Sequence, residues 1–289
     1  MSYRKDENPF YVDKGRAMVS LGPLNEKKYC AYSCAFCYVQ SGFWKYEKMS
    51  IEGICDFLKI NEDKFKIIYI SGDTDSFAPP RTLKGIELLT RIAQEFNKDL
   101  LFTTRAVFGN EEIDKIQKVD KLLKGKNQNL FACVSISSPC GDINIEPFPI
   151  SSIQERINQL DLFKKLGIFS ILAMRPFLPL YTYEEYVSLI NRVKGRVDCI
   201  LGERWYYHEN DIIYSRVMGD QKISRGEITL EKMDFDDNES EWNIWYDEYL
   251  EMRIMQYCNE CNIPFYMRSS PAIDYLKTLR GDVIDGKAN

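Results

Sequence analysis

Two patterns of hydrophobic residues alternate along the first 200 residues of the chain: short continuous apolar runs, and segments in which apolar residues recur every three or four positions. Short, nearly continuous apolar runs are typical of strands buried in a parallel sheet. Six of them occur, at residues 17–21, 66–71, 99–104, 130–136, 168–174 and 197–201. Between them, apolar side chains recur at spacings of three and four, which is the period of an amphipathic helix. Such helices are predicted over residues 81–97, 111–124, 152–166 and, with a weaker pattern, 182–194.

This alternation predicts an α/β fold built from βαβ units on a parallel sheet. In barrels of this kind, the chemistry lies at the carboxyl ends of the strands. Beyond residue 200 the pattern changes to aromatic and acidic stretches, followed by a predicted helix over 242–261 and a predicted short strand over 263–267. We therefore expect residues 1–200 to form a core domain. Residues 201–289 are expected to form a C-terminal α/β cap that lines the mouth of the core and helps to define the substrate.

The composition narrows the class of protein. The 289 residues are 45% hydrophobic and 28% charged, which is ordinary for a globular protein and excludes disordered and low-complexity classes. No apolar run approaches the ~20 residues that span a bilayer, and the first residues lack the apolar segment of a secretory signal. We therefore expect a cytoplasmic protein with no membrane partner. The net charge of −5 is a mild argument against a nucleic-acid partner, because such binding depends on neutralising phosphates.

Three of the nine cysteines lie close together, in the run Cys30-Ala-Tyr-Ser-Cys34-Ala-Phe-Cys37. A structural zinc site would need a fourth cysteine or histidine nearby, and none follows. The spacing suits three ligands to one iron–sulfur cube, which leaves one iron open as a coordination site for a cofactor. The alternative is that three small buried residues happen to cluster.

Aromatic residues accompany these cysteines, at Tyr32, Phe36 and Tyr38. With this loop after the first predicted strand, the chain resembles the radical S-adenosylmethionine (SAM) superfamily. The resemblance implies a partial (β/α)6 barrel, a [4Fe–4S] cluster held by Cys30, Cys34 and Cys37, and SAM chelating the fourth iron through its amino and carboxylate groups. It also implies an enzyme. One electron, supplied by a flavodoxin- or ferredoxin-like partner, cleaves SAM to methionine and a 5′-deoxyadenosyl radical, which abstracts hydrogen from the substrate.

Short pieces at the predicted strand ends make the chain similar to the spore photoproduct lyase-like branch of that superfamily. These pieces are Thr-Asp-Ser-Phe-Ala-Pro at 74–79, Val-Ser-Ile-Ser at 134–137, Glu146-Pro147 and Met-Arg-Pro-Phe-Leu-Pro at 174–179. By this resemblance, Arg105 contacts the SAM carboxylate and Ser135 its ribose, and Ser71 and Asp73 lie near its methionine end. The other residues assigned to SAM binding are Gly72, Ser137, Arg175 and Tyr38. Each of these positions alone is also typical of a turn, a cap or a surface group.

The founding member of that branch repairs thymine dimers in DNA, and here the sequence departs from it. The repair enzyme has a hydrogen-donating cysteine just after the second strand, where this chain has Ser71-Gly72-Asp73. Cys140, in a loop after the fourth strand, is the candidate hydrogen donor in its place, whereas Cys133 lies in an apolar strand and is typical of core packing. We expect a peptide or small-molecule substrate. A nucleic-acid repair or modification lyase and a non-catalytic iron–sulfur sensor are the alternatives.

A second pair of cysteines, Cys258 and Cys261, lies inside the predicted C-terminal helix. Two ligands are too few for a metal site. The spacing also puts both residues on one face of a helix, as structural side chains. Whether they bind a second metal stays open at this point.

Overall fold

The computed structural model describes residues 11–13, 15–25, 30–40, 50–208, 212–232 and 241–280. Its main feature is an eight-stranded sheet in which six strands follow one another in chain order, each parallel to the next. These six are β2 (Arg16–Val19), β3 (Ile67–Ile70), β4 (Asp99–Thr104), β5 (Leu130–Ser135), β6 (Phe169–Met174) and β7 (Cys199–Gly202). The six predicted strands are therefore confirmed. Two short strands extend the sheet: β1 (Tyr11–Asp13) pairs antiparallel with β2, and β11 (Phe265–Tyr266) pairs parallel with β7.

Helices connect the parallel strands. They are α1 (Ile51–Ile60), α2 (Thr82–Glu95), α3 (Asn110–Lys124), α4 (Ile153–Lys165) and α5 (Tyr183–Val193). The four predicted helices are confirmed, and α4 and α5 begin with capping boxes in which Ser152 and Thr182 exchange hydrogen bonds with Glu155 and Glu185. Helix α1 was missed, although Ser50 caps it and its buried residues follow the same helical spacing.

The inside of the curved sheet forms its own hydrophobic core, separate from the layer between strands and helices. This inner core includes Leu101, Phe131, Ile171 and Leu201. Helix α8 (Ser269–Thr278) adds Ile273 and Leu276 to it, and the Lys277 ammonium pairs with Asp99 at the first residue of β4, with 2.7 Å between Nζ and Oδ2. Because α8 closes the amino ends of the strands, the open mouth lies at their carboxyl ends.

The C-terminal region contains a second, three-stranded antiparallel sheet. Its order is β8 (Trp205–His208), β10 (Glu241–Tyr246) and β9 (Glu227–Lys232), and the short helix α6 (Ile212–Met218) follows β8. Among the described residues, no helix has both the length and the apolar composition needed to cross a membrane.

The single helix predicted over 242–261 is wrong in its first part. Residues 242–246 pair with β8 and β9 as strand β10, and helix α7 runs only over Glu248–Glu260, with its amino end capped by Asp247. The buried side of α7 carries Leu250, Ile254 and Cys258, while Tyr249, Met252 and Met255 of the predicted stripe are exposed. The predicted strand over 263–267 is confirmed as β11. It lies in the main sheet, which therefore includes residues on both sides of residue 200.

Candidate functional site

The three clustered cysteines lie in one turn beyond the carboxyl end of β2. Cys30 and Cys34 are buried, Cys37 is partly exposed, and none of them is in a disulfide. The backbone N–H of Cys37 donates to the carbonyl of Cys34 at 3.2 Å, which closes the turn. The N–H of Ala35 donates to the carbonyl of Ile145 at 3.0 Å, which ties this turn to the segment after β5. The three thiols are thus held at the mouth of the barrel.

Burial and neighbouring charges act on two of these thiols. Burial raises the pKa of both Cys30 and Cys34 above the ordinary value of a thiol. The Asp75 carboxylate raises the pKa of Cys30 further, whereas the Arg105 guanidinium opposes the rise at Cys34. Cys30 and Cys34 therefore keep their protons until a cationic centre displaces them, as happens when cysteine binds a metal. A thiolate-bound iron cluster meets this requirement, so the donor set fits one.

A site for a single metal ion is a different arrangement. Within the part of the chain that the structure describes, no three His, Cys, Asp or Glu side chains converge on one point as such an ion requires. A four-iron cluster instead binds each cysteine at a different iron atom, so three thiols spread along a turn do not need to converge. The spacing of the thiols along the cysteine turn is consistent with a cluster.

Arg105, the cation at the end of β4, lies against the cysteine turn. Its guanidinium carbon is 5.3 Å from the centre of the Phe36 ring, between Cys34 and Cys37. Its Nε donates to Glu146 Oε1 and its Nη2 donates to Ser137 Oγ, each at 3.0 Å. Arg105 therefore keeps a fixed orientation at the edge of the cysteine turn.

Glu146 anchors Arg105 by pairing with two arginines at once. Its second oxygen, Oε2, accepts from Arg156 Nη2 at 2.8 Å, and the side chains of Glu146 and Arg156 are each only 2% exposed. The two guanidinium groups lower the pKa of Glu146 to about 2 despite its burial. Arg156 Nη1 also donates to the carbonyl of Ser135 at 2.6 Å. We call the five residues of this arrangement, in which Ser135 takes part through its backbone carbonyl, the paired network: Arg105, Ser135, Ser137, Glu146 and Arg156.

The residues after β3 form a tight turn that faces the cysteines. Ser71 has a positive φ of 67°, and its hydroxyl accepts the backbone N–H of Ser76 at 2.9 Å. Gly72 lies against the methyl carbon of Met18, which would have to move aside for a Cβ at this position. The Asp75 carboxylate accepts from the Arg105 backbone N–H at 2.7 Å. Ser71 thus shapes the turn, and Asp75 joins it to the end of β4.

The C-terminal sheet covers one side of the cysteine turn. The hydroxyl of Tyr38 donates to the Asp73 carboxylate. The ring of Tyr38 lies 5.3 Å from that of Tyr206 in β8, centre to centre, and Val39 packs in one apolar cluster with Trp242 of β10. This contact brings the predicted residues Tyr38 and Asp73 to the barrel mouth beside the C-terminal sheet.

Arg175 lies apart from the paired network, towards the lumen of the barrel. Its Nε donates to the carbonyl of Gly202 at 3.3 Å, and only its backbone carbonyl meets the network, as acceptor of the Ser137 hydroxyl. Its charge interacts with Glu203, Tyr69, Cys133 and Tyr206. The structure therefore brings Arg105, Ser135 and Ser137 together around Glu146, and it puts Arg175 on the other side of Ser137.

Cys140 and Cys133 occupy contrasting positions. Cys140 is exposed in the loop after β5, with its sulfur 3.8 Å from Ser138 Oγ. Cys133 is fully buried in β5, faces the lumen, and hydrogen-bonds with the Thr103 hydroxyl. Among the described contacts, none joins Cys140 to the cysteine turn.

Cys258 and Cys261 both pack into the main hydrophobic core at the end of α7. Burial raises the pKa of Cys258 to about 12. Within the described residues no third His, Cys, Asp or Glu side chain joins them.

Sequence reasoning missed three members of this region: Asp75, Arg156 and Glu203. Asp75 lies inside one of the family-like pieces, so a signal for it was present. Arg156 occupies a buried position of α4, where the helical period calls for an apolar residue, and that mismatch is a usable sign of a buried ion pair. Glu203 follows β7 and carries no motif that separates it from a surface glutamate.

Comparisons with known proteins bear on the fold. No protein-family model matches the sequence, and no curated protein is similar to it. The structure is similar to that of TsrM from Kitasatospora setae, a radical S-adenosylmethionine methyltransferase whose structure holds cobalamin and a [4Fe–4S] cluster. The TM-score is 0.51 and the identity 9%, over 79% of this chain and 50% of TsrM. This chain therefore spans about half the length of TsrM.

A second solved structure, the cobalamin-dependent S-adenosylmethionine radical enzyme OxsB, aligns with 63% of this chain and 27% of its own. Its identity is 15%, and its TM-score of 0.39 is too low to add to the argument. The likeness to TsrM, together with the parallel strand order, shows the fold: this chain is a partial α/β barrel of the kind found in radical SAM enzymes.

Proposed function

We propose that this protein is a radical SAM enzyme in which Cys30, Cys34 and Cys37 hold a [4Fe–4S] cluster and SAM binds at the open iron. The observation that carries the proposal is the position of the cysteine turn, which follows the first parallel strand and lies at the open mouth of the barrel. When bound, the cluster and SAM supply a 5′-deoxyadenosyl radical after one-electron reduction by a flavodoxin- or ferredoxin-like protein.

The side chains of the paired network would orient SAM beside the cysteine turn. Arg105 uses Nε and Nη2 within the network, and Nη1 has no hydrogen-bond partner among the described contacts. This nitrogen is free to donate to the SAM carboxylate, as a charge-assisted bond. Glu146 would hold the guanidinium in place, since its own pKa of about 2 keeps it ionised. Ser135, at the end of β5, would contact the ribose of SAM.

The resemblance to the spore photoproduct lyase-like branch gains support from geometry. Asp75, Ser137 and Glu146 come from three separate pieces that carry the resemblance, and all three hydrogen-bond to Arg105. We propose that the chain shares the SAM-binding side of that branch. Because Ser71 occupies the place of the repair cysteine and uses its hydroxyl on Ser76, a peptide or small-molecule substrate is proposed in preference to DNA.

Two further parts of the proposal concern the substrate. The C-terminal region, residues 201–289, is proposed to cap the barrel and to exclude water from the radical, which is supported by the packing of Tyr38 and Val39 against β8 and β10. Cys140 remains the candidate hydrogen donor. Its replacement in Cys140→Ala is expected to stop product formation while SAM cleavage continues, and unchanged product would remove it from the reaction.

The proposal is tested by anaerobic reconstitution with iron and sulfide, followed by SAM and dithionite. The wild type is expected to take up one cluster per chain and to release 5′-deoxyadenosine. Cys34→Ala is expected to lose both, while Cys55→Ala, which removes an equally buried thiol from α1, is expected to keep both. Full iron content and activity in Cys34→Ala would overturn the ligand assignment.

The same assay separates the alternatives. It is run with and without a short DNA that carries a thymine dimer. Equal amounts of 5′-deoxyadenosine in both samples support a peptide or small-molecule substrate. Strong stimulation by the DNA would support the alternative hypothesis, a nucleic-acid repair or modification lyase. A full cluster with no 5′-deoxyadenosine would indicate the iron–sulfur sensor.

A further inference from the structure

Two ionisable side chains in the barrel lumen lie outside the paired network. They are Arg175, directly after β6, and Glu203, directly after β7. Both are partly exposed, so solvent reaches them from the barrel mouth. The only described side-chain hydrogen bond of Arg175 is the one from Nε to Gly202, which leaves Nη1 and Nη2 without a partner among the described contacts. The Glu203 carboxylate accepts no hydrogen bond from any described residue.

The two charges influence each other without forming an ion pair. Arg175 lowers the pKa of Glu203 and Glu203 raises that of Arg175, yet no nitrogen of Arg175 lies within 4.0 Å of the carboxylate. Burial is the largest influence on Glu203 and leaves its pKa raised overall. A cation and a carboxylate that are only partly exposed and do not pair lose part of their hydration without gaining a partner in exchange. A ligand that brings the complementary charges would supply the missing partners.

The lumen side chains below this pair are uncharged and hydrogen-bond with one another. The Tyr69 hydroxyl and Thr103 Oγ1 are 2.8 Å apart and share a hydrogen bond, and Thr103 also bonds with Cys133. These groups satisfy one another, and the apolar residues of α8 lie beneath them. A ligand that enters from the mouth therefore meets its strongest polar contacts at Arg175 and Glu203.

We propose that Arg175 and Glu203 bind the zwitterionic head group of an α-amino acid, with its carboxylate on the guanidinium and its ammonium on the glutamate. The planar donors of arginine match a carboxylate, and a glutamate accepts the N–H groups of an ammonium. Two cations, Arg175 and Arg16, and one other carboxylate, Asp73, act on Glu203. Because the site holds charges of both signs, a zwitterion matches it better than a purely anionic group such as a phosphate, which would leave Glu203 facing a like charge. The proposal names a substrate class and rests on the function proposed above.

Two ligands could present this ammonium and carboxylate to the pair. One is a free amino acid that serves as substrate, and the other is the methionyl end of SAM itself. The family resemblance assigns the amino and carboxylate groups of SAM to the open iron, but it also assigns Arg175 to SAM binding. The position of Arg175 beside Gly202, outside the paired network, favours the substrate. The experiment below separates the two sources.

The test is equilibrium dialysis of the reconstituted protein against an equimolar mixture of the twenty proteinogenic L-amino acids, followed by amino-acid analysis. Two matched mixtures, of the Nα-acetyl derivatives and of the α-amides, each remove one charge. We expect the wild type to retain at least one free amino acid and neither derivative of it. Because all three mixtures meet the same folded protein, no variant is needed for this result. Retention of no free amino acid, or equal retention of the derivatives, would overturn the proposal.

Variants then locate the site. Glu203→Gln and Arg175→Gln are expected to weaken retention by about tenfold or more, because each leaves one charge of the ligand unpaired. Glu87→Gln, which neutralises an exposed glutamate on α2, is the control and is expected to change nothing. Unchanged retention in both lumen variants would overturn the assignment of residues.

SAM binding, measured in parallel, identifies the source. The proposal requires Glu203→Gln to bind SAM as the wild type does. Loss of SAM binding in this variant would show that the pair serves the methionyl end, which overturns the substrate assignment. Dialysis needs no radical chemistry, so the two proposals fail separately. An amino acid retained by a protein that forms no 5′-deoxyadenosine would refute only the radical function, and 5′-deoxyadenosine without a retained amino acid would refute only this site.

Discussion

Two groups of charged residues lie on either side of Ser137, and they differ in how completely their charges are paired. In the paired network, Glu146 accepts hydrogen bonds from both Arg105 and Arg156. In the lumen, Arg175 and Glu203 lie within electrostatic range but make no such contact with each other. Buried charges that pair within the protein fix its shape, whereas charges left unpaired in a solvent-reached cavity are available to a ligand. The first group therefore positions the site, and the second is the better candidate for recognition.

The largest expected effect comes from breaking the paired network. In Glu146→Gln, the two buried guanidinium groups lose their shared counter-charge, and we expect unfolding to become easier by about 3–5 kcal/mol. Urea titration of the wild type and the variant at neutral pH measures the difference. Glu87→Gln, at an exposed position, is expected to change the free energy of unfolding by less than about 0.5 kcal/mol. If Glu146→Gln lowers the free energy of unfolding no more than this control does, the paired network does not stabilise the folded protein.

Acid weakens the same network in the wild type. Because the pKa of Glu146 is lowered from 4.5 to about 2 in the folded protein, its contribution is complete above pH 4.5 and is lost as the pH falls towards 2. This contribution is on the order of 3 kcal/mol. The stability advantage of the wild type over Glu146→Gln should therefore shrink between pH 4.5 and pH 2. An advantage that stays constant over this range would contradict the ion-pair explanation.

Removing the side chain between the two groups has an intermediate effect. Ser137 is fully buried, accepts from Arg105 and donates to the Arg175 carbonyl. Ser137→Ala leaves both partners short of one hydrogen bond, and we expect a loss of about 1–3 kcal/mol. Ser215→Ala, which removes an exposed hydroxyl from α6, is the matched control for the urea titration. A cost equal to that of the control would mean that Ser137 does not join the two groups.

The smallest expected effect is an increase, and not a decrease, in the free energy of unfolding. The groups that act on Glu203 are Arg175, Arg16, Asp73 and Tyr69, and burial outweighs the two arginines, so its pKa is raised. A raised pKa means that the folded state resists ionisation, so stability falls as the pH rises from the unfolded pKa through the folded one. Glu203→Gln should remove this penalty and slightly stabilise the ligand-free protein at neutral pH. Thermal unfolding at pH 4 and pH 7 checks it, and destabilisation at pH 7 would show that Glu203 is already paired.

The fold could be predicted from the sequence because its signals are local. The six parallel strands are buried on both faces, which gives the continuous apolar runs that identify them. The sequence of residues 242–246 predicts a helix because its aromatic residues also fit a helical period. Only pairing with β8 and β9, a contact distant in sequence, makes them a strand.

The site could be predicted where it depends on spacing and not where it depends on tertiary contact. The cysteine turn is one short run of sequence. The pairing of Arg156 with Glu146 joins residues on different elements, and the separation of Arg175 from Arg105 depends on which way two strand-end side chains turn. The sequence predicts that Arg105 and Arg175 both lie at strand ends and both bind SAM. In the structure they have different surroundings.

The most direct test of the central claim is electron paramagnetic resonance of the reconstituted, dithionite-reduced protein before and after addition of SAM. If Cys30, Cys34 and Cys37 leave one iron open and SAM binds there, the signal of a reduced [4Fe–4S] cluster is present without SAM and changes when SAM is added. Cys34→Ala should lack the signal. A wild-type cluster signal that SAM leaves unchanged would contradict the account.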